Sequence, residues 1–189
     1  QTMKGGLGTL TAALVRAAGG SLRVVHGEAG AVERRGGEFL VRLPEGAIEA
    51  DAVVLACPAY EAGGLVRQVD PELTALLASV GYNSSVTVTL GYRKEGFRSS
   101  HGGFGFLVPK RERRVMMAGT WVGTKFPYRV PEDKVLLRCF ISGSPSEDDE
   151  SLAAMIREEL RDSLGIVAEP VFTRVSRWPR AMAQYTVGH

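Results

Sequence analysis

Apolar and polar residues alternate with a period of two along Ser85-Val86-Thr87-Val88-Thr89-Leu90-Gly91-Tyr92, the pattern of a half-buried strand. Three further strand-like segments follow: Gly102-Gly103-Phe104-Gly105-Phe106-Leu107-Val108-Pro109, an apolar run over 115–121 and another over 135–143. Four such segments separated by turn-rich joints predict one antiparallel sheet. The glycines of the second segment admit two readings. They turn the chain in a hairpin, or they let a flat ligand approach the backbone, with Phe104, Phe106 and Leu107 forming one wall of an apolar slot.

The chain before this sheet mixes periods. Leu7, Leu10, Leu14 and Ala18 fall at helical spacing and end on Gly19-Gly20, an amphipathic helix with a glycine stop. Gly5, Gly6 and Gly8 at its entry lack a preceding strand and the glycine spacing of a dinucleotide loop, and read as close-packing residues. A short strand is expected over 21–25, a hairpin over 31–34 and 38–43 joined by Arg35-Gly36-Gly37, and a turn at Pro44-Glu45-Gly46. The unbroken run Ala52-Val53-Val54-Leu55-Ala56-Cys57 predicts a strand buried on both faces. Pro58 stops it, a helix follows over 59–69, and Asp70-Pro71 opens another with Asp70 as the cap. Beyond the sheet, Ser146 with Asp149 predicts a helix N-terminus. Leu152, Met155, Ile156, Leu160 and Leu164 mark one apolar face ended by Gly165. A last strand is expected over 171–178, closed by Pro179. Composition shifts near Tyr82, the expected boundary between a first domain (1–80) and a second (81–189).

The 189 residues carry a net charge of +2, too little to imply nucleic acid as a partner. The basic run Lys110-Arg111-Glu112-Arg113-Arg114 reads as a solvated hairpin tip, with anionic lipid or a substrate carboxylate as the alternative. Cys57 and Cys139 both lie in apolar runs and are expected to be small buried hydrophobes of a reducing compartment. His26, His101 and His189 have no ligand spacing, so no metal is expected. No run is long enough to span a bilayer. The start at Gln1 and the finish at Thr186-Val187-Gly188-His189 suggest a piece of a longer protein. No nucleophile with a base, and no carboxylate pair, stands in a recognisable arrangement, so no catalytic residue is assigned; difficult chemistry would belong to a cofactor.

Several stretches carry a resemblance. The segment 48–59, containing Ala50-Asp51-Ala52-Val53-Val54-Leu55-Ala56-Cys57-Pro58-Ala59, is similar to the "ADAVVLA-x-PA" strand of flavin-dependent amine oxidases, and the Gly5-Gly6-Leu7 helix and the segment 24–34 resemble the same superfamily. Gly103-Phe104-Gly105-Phe106-Leu107-Val108-Pro109, Phe126-Pro127-Tyr128-Arg129-Val130-Pro131, Val135-Leu136-Leu137-Arg138 and Arg177-Trp178-Pro179-Arg180-Ala181-Met182-Ala183-Gln184-Tyr185 together resemble the oxygen-dependent, FAD-containing protoporphyrinogen and coproporphyrinogen oxidases. Amine oxidases and carotenoid desaturases share the early segments but are not expected to share the last. A third alternative, of another class, is a non-catalytic module binding a planar hydrophobic ligand.

The resemblance implies an α+β fold: part of an FAD-binding domain sheet with helices, plus an antiparallel-rich mixed-sheet substrate domain, incomplete here. It implies oxidation of a porphyrinogen to the porphyrin in haem synthesis, with hydride passing to FAD and oxygen reoxidising it. Phe104, Gly105, Leu107, Phe126 and Phe140 match substrate-pocket positions, and Ala29 and Ala56 match positions facing FAD. The family's dinucleotide-binding N-terminus and its flavin-closing C-terminus are absent, so the chain alone is expected to be inactive. The implied setting is the cytoplasm, with peripheral contact at the inner face of the membrane as an option. Whether the substrate carries two or four carboxylates is left open.

Overall fold

A computed structural model describes residues 3–95, 97 and 103–188. By packing, the chain divides into Gln1–Tyr82 with Ala183–His189, and Asn83–Met182.

In the first unit, helix α1 (Gly8–Ala18) ends on Gly19, where the glycine stop was expected. Strands β1 (Ala31–Arg35), β2 (Glu38–Leu43) and β3 (Gly46–Ala50) form an antiparallel meander. The two turns lie at the expected places, with Gly36 at a positive φ of 64° that a side chain would resist. Helices α2 (Ala59–Leu65) and α3 (Pro71–Ser79) follow. Asp70 caps α3, its Oδ1 accepting from the Leu73 amide at 2.8 Å, with Pro71 in the first turn.

Three expectations fail in this unit. Residues 22–25 and 52–57 belong to no strand: a strand needs a partner, and the described residues provide none at either place. Val54, expected inside, is 90% exposed, and Cys57 is exposed rather than buried. Helix α2 stops at Leu65, four residues short of 69, where Val66 leaves helical geometry at φ −95°, ψ 8°.

The second unit holds a five-stranded sheet in the order β5-β6-β7-β4-β8. Its strands are β4 (Tyr82–Arg93), β5 (Gly105–Leu107), β6 (Met116–Trp121), β7 (Lys134–Ser142) and β8 (Phe172–Ala183). The expected four-segment antiparallel arrangement is present, with β8 added beside β4. The Val171 amide donates to the Gly91 carbonyl and the Gln184 amide to the Gly81 carbonyl, so β4 and β8 run in opposite directions. Pro179 does not close the last strand. It sits inside β8, an edge strand where the missing N–H costs no ladder bond, and Arg180 takes a positive φ of 45° beside it.

One face of this sheet is the core. Val86, Val88, Leu90 and Tyr92 of β4 and Leu137, Cys139 and Ile141 of β7 pack with Leu152, Ile156 and Leu160 of helix α5 (Asp149–Leu164). Burying each large side chain contributes about 1.5–3 kcal/mol. The α5 cap is Asp148, not Ser146: its Oδ1 accepts from the Ser151 amide at 2.8 Å. That bond holds the Asp148 carboxyl below its ordinary pKa. Gly165 ends the helix in the left-handed conformation, as its position after Leu164 predicts. Glu159 is the one buried charged side chain among the described residues, and its Oε2 accepts from the amides of Val115 and Met116 at 3.1 and 2.9 Å. These bonds fasten the start of β6 to α5 where a register shift separates Met116 from Ala118. Burial pushes the Cys139 thiol up to about 12.

Candidate functional site

Alternation along each strand gives the sheet a second face. In β7, Leu137, Cys139 and Ile141 point into the core, so Leu136, Arg138 and Phe140 point the other way. Thr87 and Thr89 of β4 are the register partners of Phe140 and Arg138. On the other side, Ala118 and Thr120 of β6 face the same two residues. The extra residue at the β6 irregularity brings Met117 onto this face next to Ala118. From β8 come Phe172, Arg174, Ser176 and Trp178. All of these side chains but Thr120 floor an open groove of about 960 Å³. Trp178 is anchored by its indole N–H, which donates to Thr87 Oγ1 at 3.3 Å.

A smaller cavity of about 240 Å³ adjoins the groove and shares Leu136, Arg138 and Phe140 with it. Its far wall is the turn from α4 (Val122–Lys125) into Phe126. The Arg129 guanidinium lies 4.4 Å from the Phe126 ring centre and the Lys125 ammonium 5.6 Å from it, within cation–π range. The residues lining the two cavities include Lys125, Arg129, Arg138 and Arg174 and no carboxylate. The result is a greasy floor with hydroxyls and a one-sided positive charge. It suits a large, flat, anionic molecule better than a neutral or cationic one.

The five residues matched to a substrate pocket are disposed around this groove to different degrees. Phe140 lines both cavities and Phe126 the smaller. Leu107 is level with Ala118 through the β5–β6 register, hence on the groove face at the sheet edge, and 82% exposed. Gly105 is occupied differently: a Cβ there would stand 2.2 Å from the Gly119 carbonyl oxygen, so β6 itself fills the space. Phe104 is largely exposed next to β5, its carbonyl accepting from the Trp121 amide. The ring that packs on the core is that of Phe106, seated over Gly119, where any Cβ would strike it at 2.4 Å. Of the two positions matched to a flavin contact, Ala29 is half-buried before β1 and Ala56 is exposed on the unpaired run.

Sequence reading gave no site role to Arg138, although it lies in a matched stretch, nor to Arg174 or Met117. The first two could have been found by carrying the strand alternation through β7 and β8, since a charge out of phase with buried neighbours faces away from the core. Arg177, which opens the most specific motif, has a structural task. Its guanidinium donates to Asp149 Oδ1 and to the carbonyls of Pro145 and Glu147, clamping the loop ahead of α5. The basic run at 110–114 is exposed and largely engaged: Arg111 pairs with Glu112, Arg114 with Asp162, and Arg113 donates to the Val108 carbonyl. No group of three His, Cys, Asp or Glu residues that could hold a metal occurs among the described residues. No helix among them is long and apolar enough to cross a membrane.

Known proteins place this architecture. The chain is 33% identical over its full length to coproporphyrinogen III oxidase of Propionibacterium freudenreichii subsp. freudenreichii, covering 36% of that protein. It is 30% identical to coproporphyrinogen III oxidase of Bacillus subtilis (strain 168), over 75% of this chain and 31% of that one. A chloroplastic protoporphyrinogen oxidase of Oryza sativa subsp. japonica matches at 27% over 83% of the chain and 32% of the relative. The chain thus spans about a third of the length of these relatives. Among solved structures, a provisionally named protoporphyrinogen oxidase of Exiguobacterium sp. 255-15 superposes over the whole chain with a TM-score of 0.86 at 26% identity, covering 42% of that protein. A putrescine oxidase variant shares the fold alone, at 17% identity and a TM-score of 0.74 over 97% of this chain and 42% of its own. The family model for flavin containing amine oxidoreductases matches residues 1–189; the α+β chain belongs to that family.

Proposed function

We propose that the chain is the middle third of a flavin-dependent porphyrinogen oxidase. In this reading residues 1–80 are the C-terminal part of the FAD-binding lobe and residues 81–189 most of the substrate-binding domain. The observation that carries it is the groove: a broad apolar floor of Phe140, Leu136, Met117 and Trp178, bordered by cations and free of carboxylates. A porphyrinogen is a large, greasy macrocycle with carboxylate tails, and needs that combination. The similarity to coproporphyrinogen and protoporphyrinogen oxidases supports the same substrate class.

This chain's residues fit a flavin only as one wall. Ala29 and the run 52–57, which belong to no strand, leave backbone groups that can accept hydrogen bonds from or donate them to a cofactor. The glycines near α1, at 5, 6 and 8, do not have the spacing of a dinucleotide-binding phosphate loop. When bound, FAD would supply the oxidation itself. The chain's own part is to seat the macrocycle on the β4–β6–β7–β8 face, exclude water from its apolar side and hold its charged tails. We assign substrate contact to Phe140, Phe126 and Leu107, with Phe104 and Gly105 at the groove's outer edge, and a cytoplasmic setting with peripheral contact at the inner face of the membrane as an option.

The test is oxidation of a porphyrinogen by the full-length protein in air, read by the rise of porphyrin fluorescence, with amines run in parallel. Porphyrin formation with no turnover of amines is expected. Turnover of an amine and none of a porphyrinogen would replace this reading with an amine oxidase.

A further inference from the structure

Two cations on the groove face are not spoken for. Arg138 and Arg174 are exposed, and no carboxylate, carbonyl or aromatic ring among the described residues engages either. Elsewhere in this unit several arginines are engaged: Arg114 with Asp162, Arg157 with Glu169, Arg177 with Asp149. Arg138 is the register partner of Thr89 on β7. Arg174 lies two residues beyond Phe172, whose Cβ sits against Gly91, so it is level with Thr89 on the opposite side, on β8. With β4 between them, the two backbones are about 10 Å apart. Long side chains rising from those positions put two guanidinium groups on either side of a Thr89 hydroxyl, above an apolar floor.

We propose that Arg138 and Arg174 bind carboxylate side chains of the macrocycle, and that the groove thereby favours a tetracarboxylate porphyrinogen over a dicarboxylate one. The inference rests on the porphyrinogen reading above. A guanidinium presents a fork of donors that matches a carboxylate. Two forks separated by a strand and its neighbours engage two separate carboxylates, not the two oxygens of one. A macrocycle with an acidic tail on every ring offers a carboxylate to both arginines in any in-plane rotation. One with tails on only two adjacent rings does so in few, and otherwise lays an apolar substituent against a guanidinium that loses water without gaining a partner.

The experiment titrates the full-length protein with coproporphyrin III (four carboxylates) and protoporphyrin IX (two), following the Soret band. The unaltered protein, Arg138→Gln, Arg174→Gln and Arg138→Lys are compared. Tighter binding of coproporphyrin III is expected. Each Gln variant should weaken coproporphyrin III about tenfold and narrow the preference between the two porphyrins, and Lys should restore part of the loss. Rising salt should weaken the unaltered protein more than either variant. Coproporphyrin III binding unchanged in both Gln variants, or no preference in the unaltered protein, overturns the inference while leaving the porphyrinogen reading in place. Failure of both porphyrins to bind the unaltered protein overturns that reading itself. The altered side chains are exposed on the sheet, so thermal melting of each variant should match the unaltered protein.

Discussion

The two units of the chain are built from similar apolar patterns and fill them to different degrees. In Asn83–Met182 one helix lies on one sheet, and Val88, Leu90, Leu137, Cys139, Ile156 and Leu160 are wholly buried. In Gln1–Tyr82 with Ala183–His189 the buried apolar side chains among the described residues are Val32, Leu40, Ala62 and Val66. Helix α1 has an apolar stripe of equal regularity but buries nothing: Leu7 is 71% and Leu14 62% exposed. Periodicity therefore says which face of an element seeks cover, not whether cover is at hand. Since helix stability comes mostly from packing of that face, the second unit should carry nearly all the cooperative stability of the chain.

The sharpest way to break this contrast is a pair of truncations. Ile156→Ala removes three buried carbons from the centre of the α5–sheet interface and should cost about 2–5 kcal/mol. Leu14→Ala, an equal change in chemistry on the open α1 stripe, should cost no more than about 0.5 kcal/mol. Urea unfolding of the chain, followed by fluorescence of the buried Trp121, measures both. A cost above about 1 kcal/mol for Leu14→Ala would mean that the stripe is covered in solution.

The two cysteines offer a chemical version of the same comparison. Cys57 is exposed on the unpaired run, whereas Cys139 is wholly buried with its thiol pushed up to about 12. At neutral pH essentially none of Cys139 is the reactive thiolate. A colorimetric thiol reagent should therefore titrate one group per chain rapidly and the second only after denaturant is added. Two fast thiols would show that the β7 core opens readily.

What could be read from residues alone follows this divide. The β4, β6 and β7 segments and the α5 face are where patterning places them, because each meets a partner inside the same unit, and both glycine stops are in place because a glycine end is a local backbone effect. The runs 22–25 and 52–57 have strand-like composition but no ladder to join, and propensity without a partner forms no strand. The same logic explains the site. Phe140 was legible through the resemblance, and strand alternation puts Arg138 on its face of β7, but only the register of neighbouring strands brings Arg174 of β8 level with Arg138. Gly105 and Gly119 looked alike as glycines, and only packing reveals that one admits the β6 backbone and the other the Phe106 ring. Ser146 was misjudged as the cap by two residues, since Ser and Asp both accept a backbone amide and the sequence offers several of them in a row.

That cap supplies the smallest effect, and it again sets one unit against the other. Asp148 and Asp70 make the same bond, each Oδ1 accepting at 2.8 Å from an amide three residues on. The α5 start is further held by Arg177, while α3 buries none of its own side chains. The Asp148 carboxyl is held below its ordinary value chiefly by the Ser151 amide, so its folded pKa lies under the unfolded one of about 3.9. The sign follows: its contribution is fully present above that unfolded value and is lost as pH falls through the depressed folded one. Hydrogen exchange of the Ser151 amide should be slow at pH 5 and should accelerate, beyond the intrinsic pH effect, only below about pH 4. Asp148→Asn keeps the acceptor but removes the titration, and should flatten that dependence without opening the rest of α5, which Leu152, Ile156 and Leu160 hold down. The equivalent Asp70→Asn change should leave the Leu73 amide fast-exchanging at every pH, because α3 buries none of its own side chains and rests on the short α2 near Gly63 rather than on a core. Slow exchange at Leu73 would contradict the picture of an open first unit as directly as a costly Leu14→Ala.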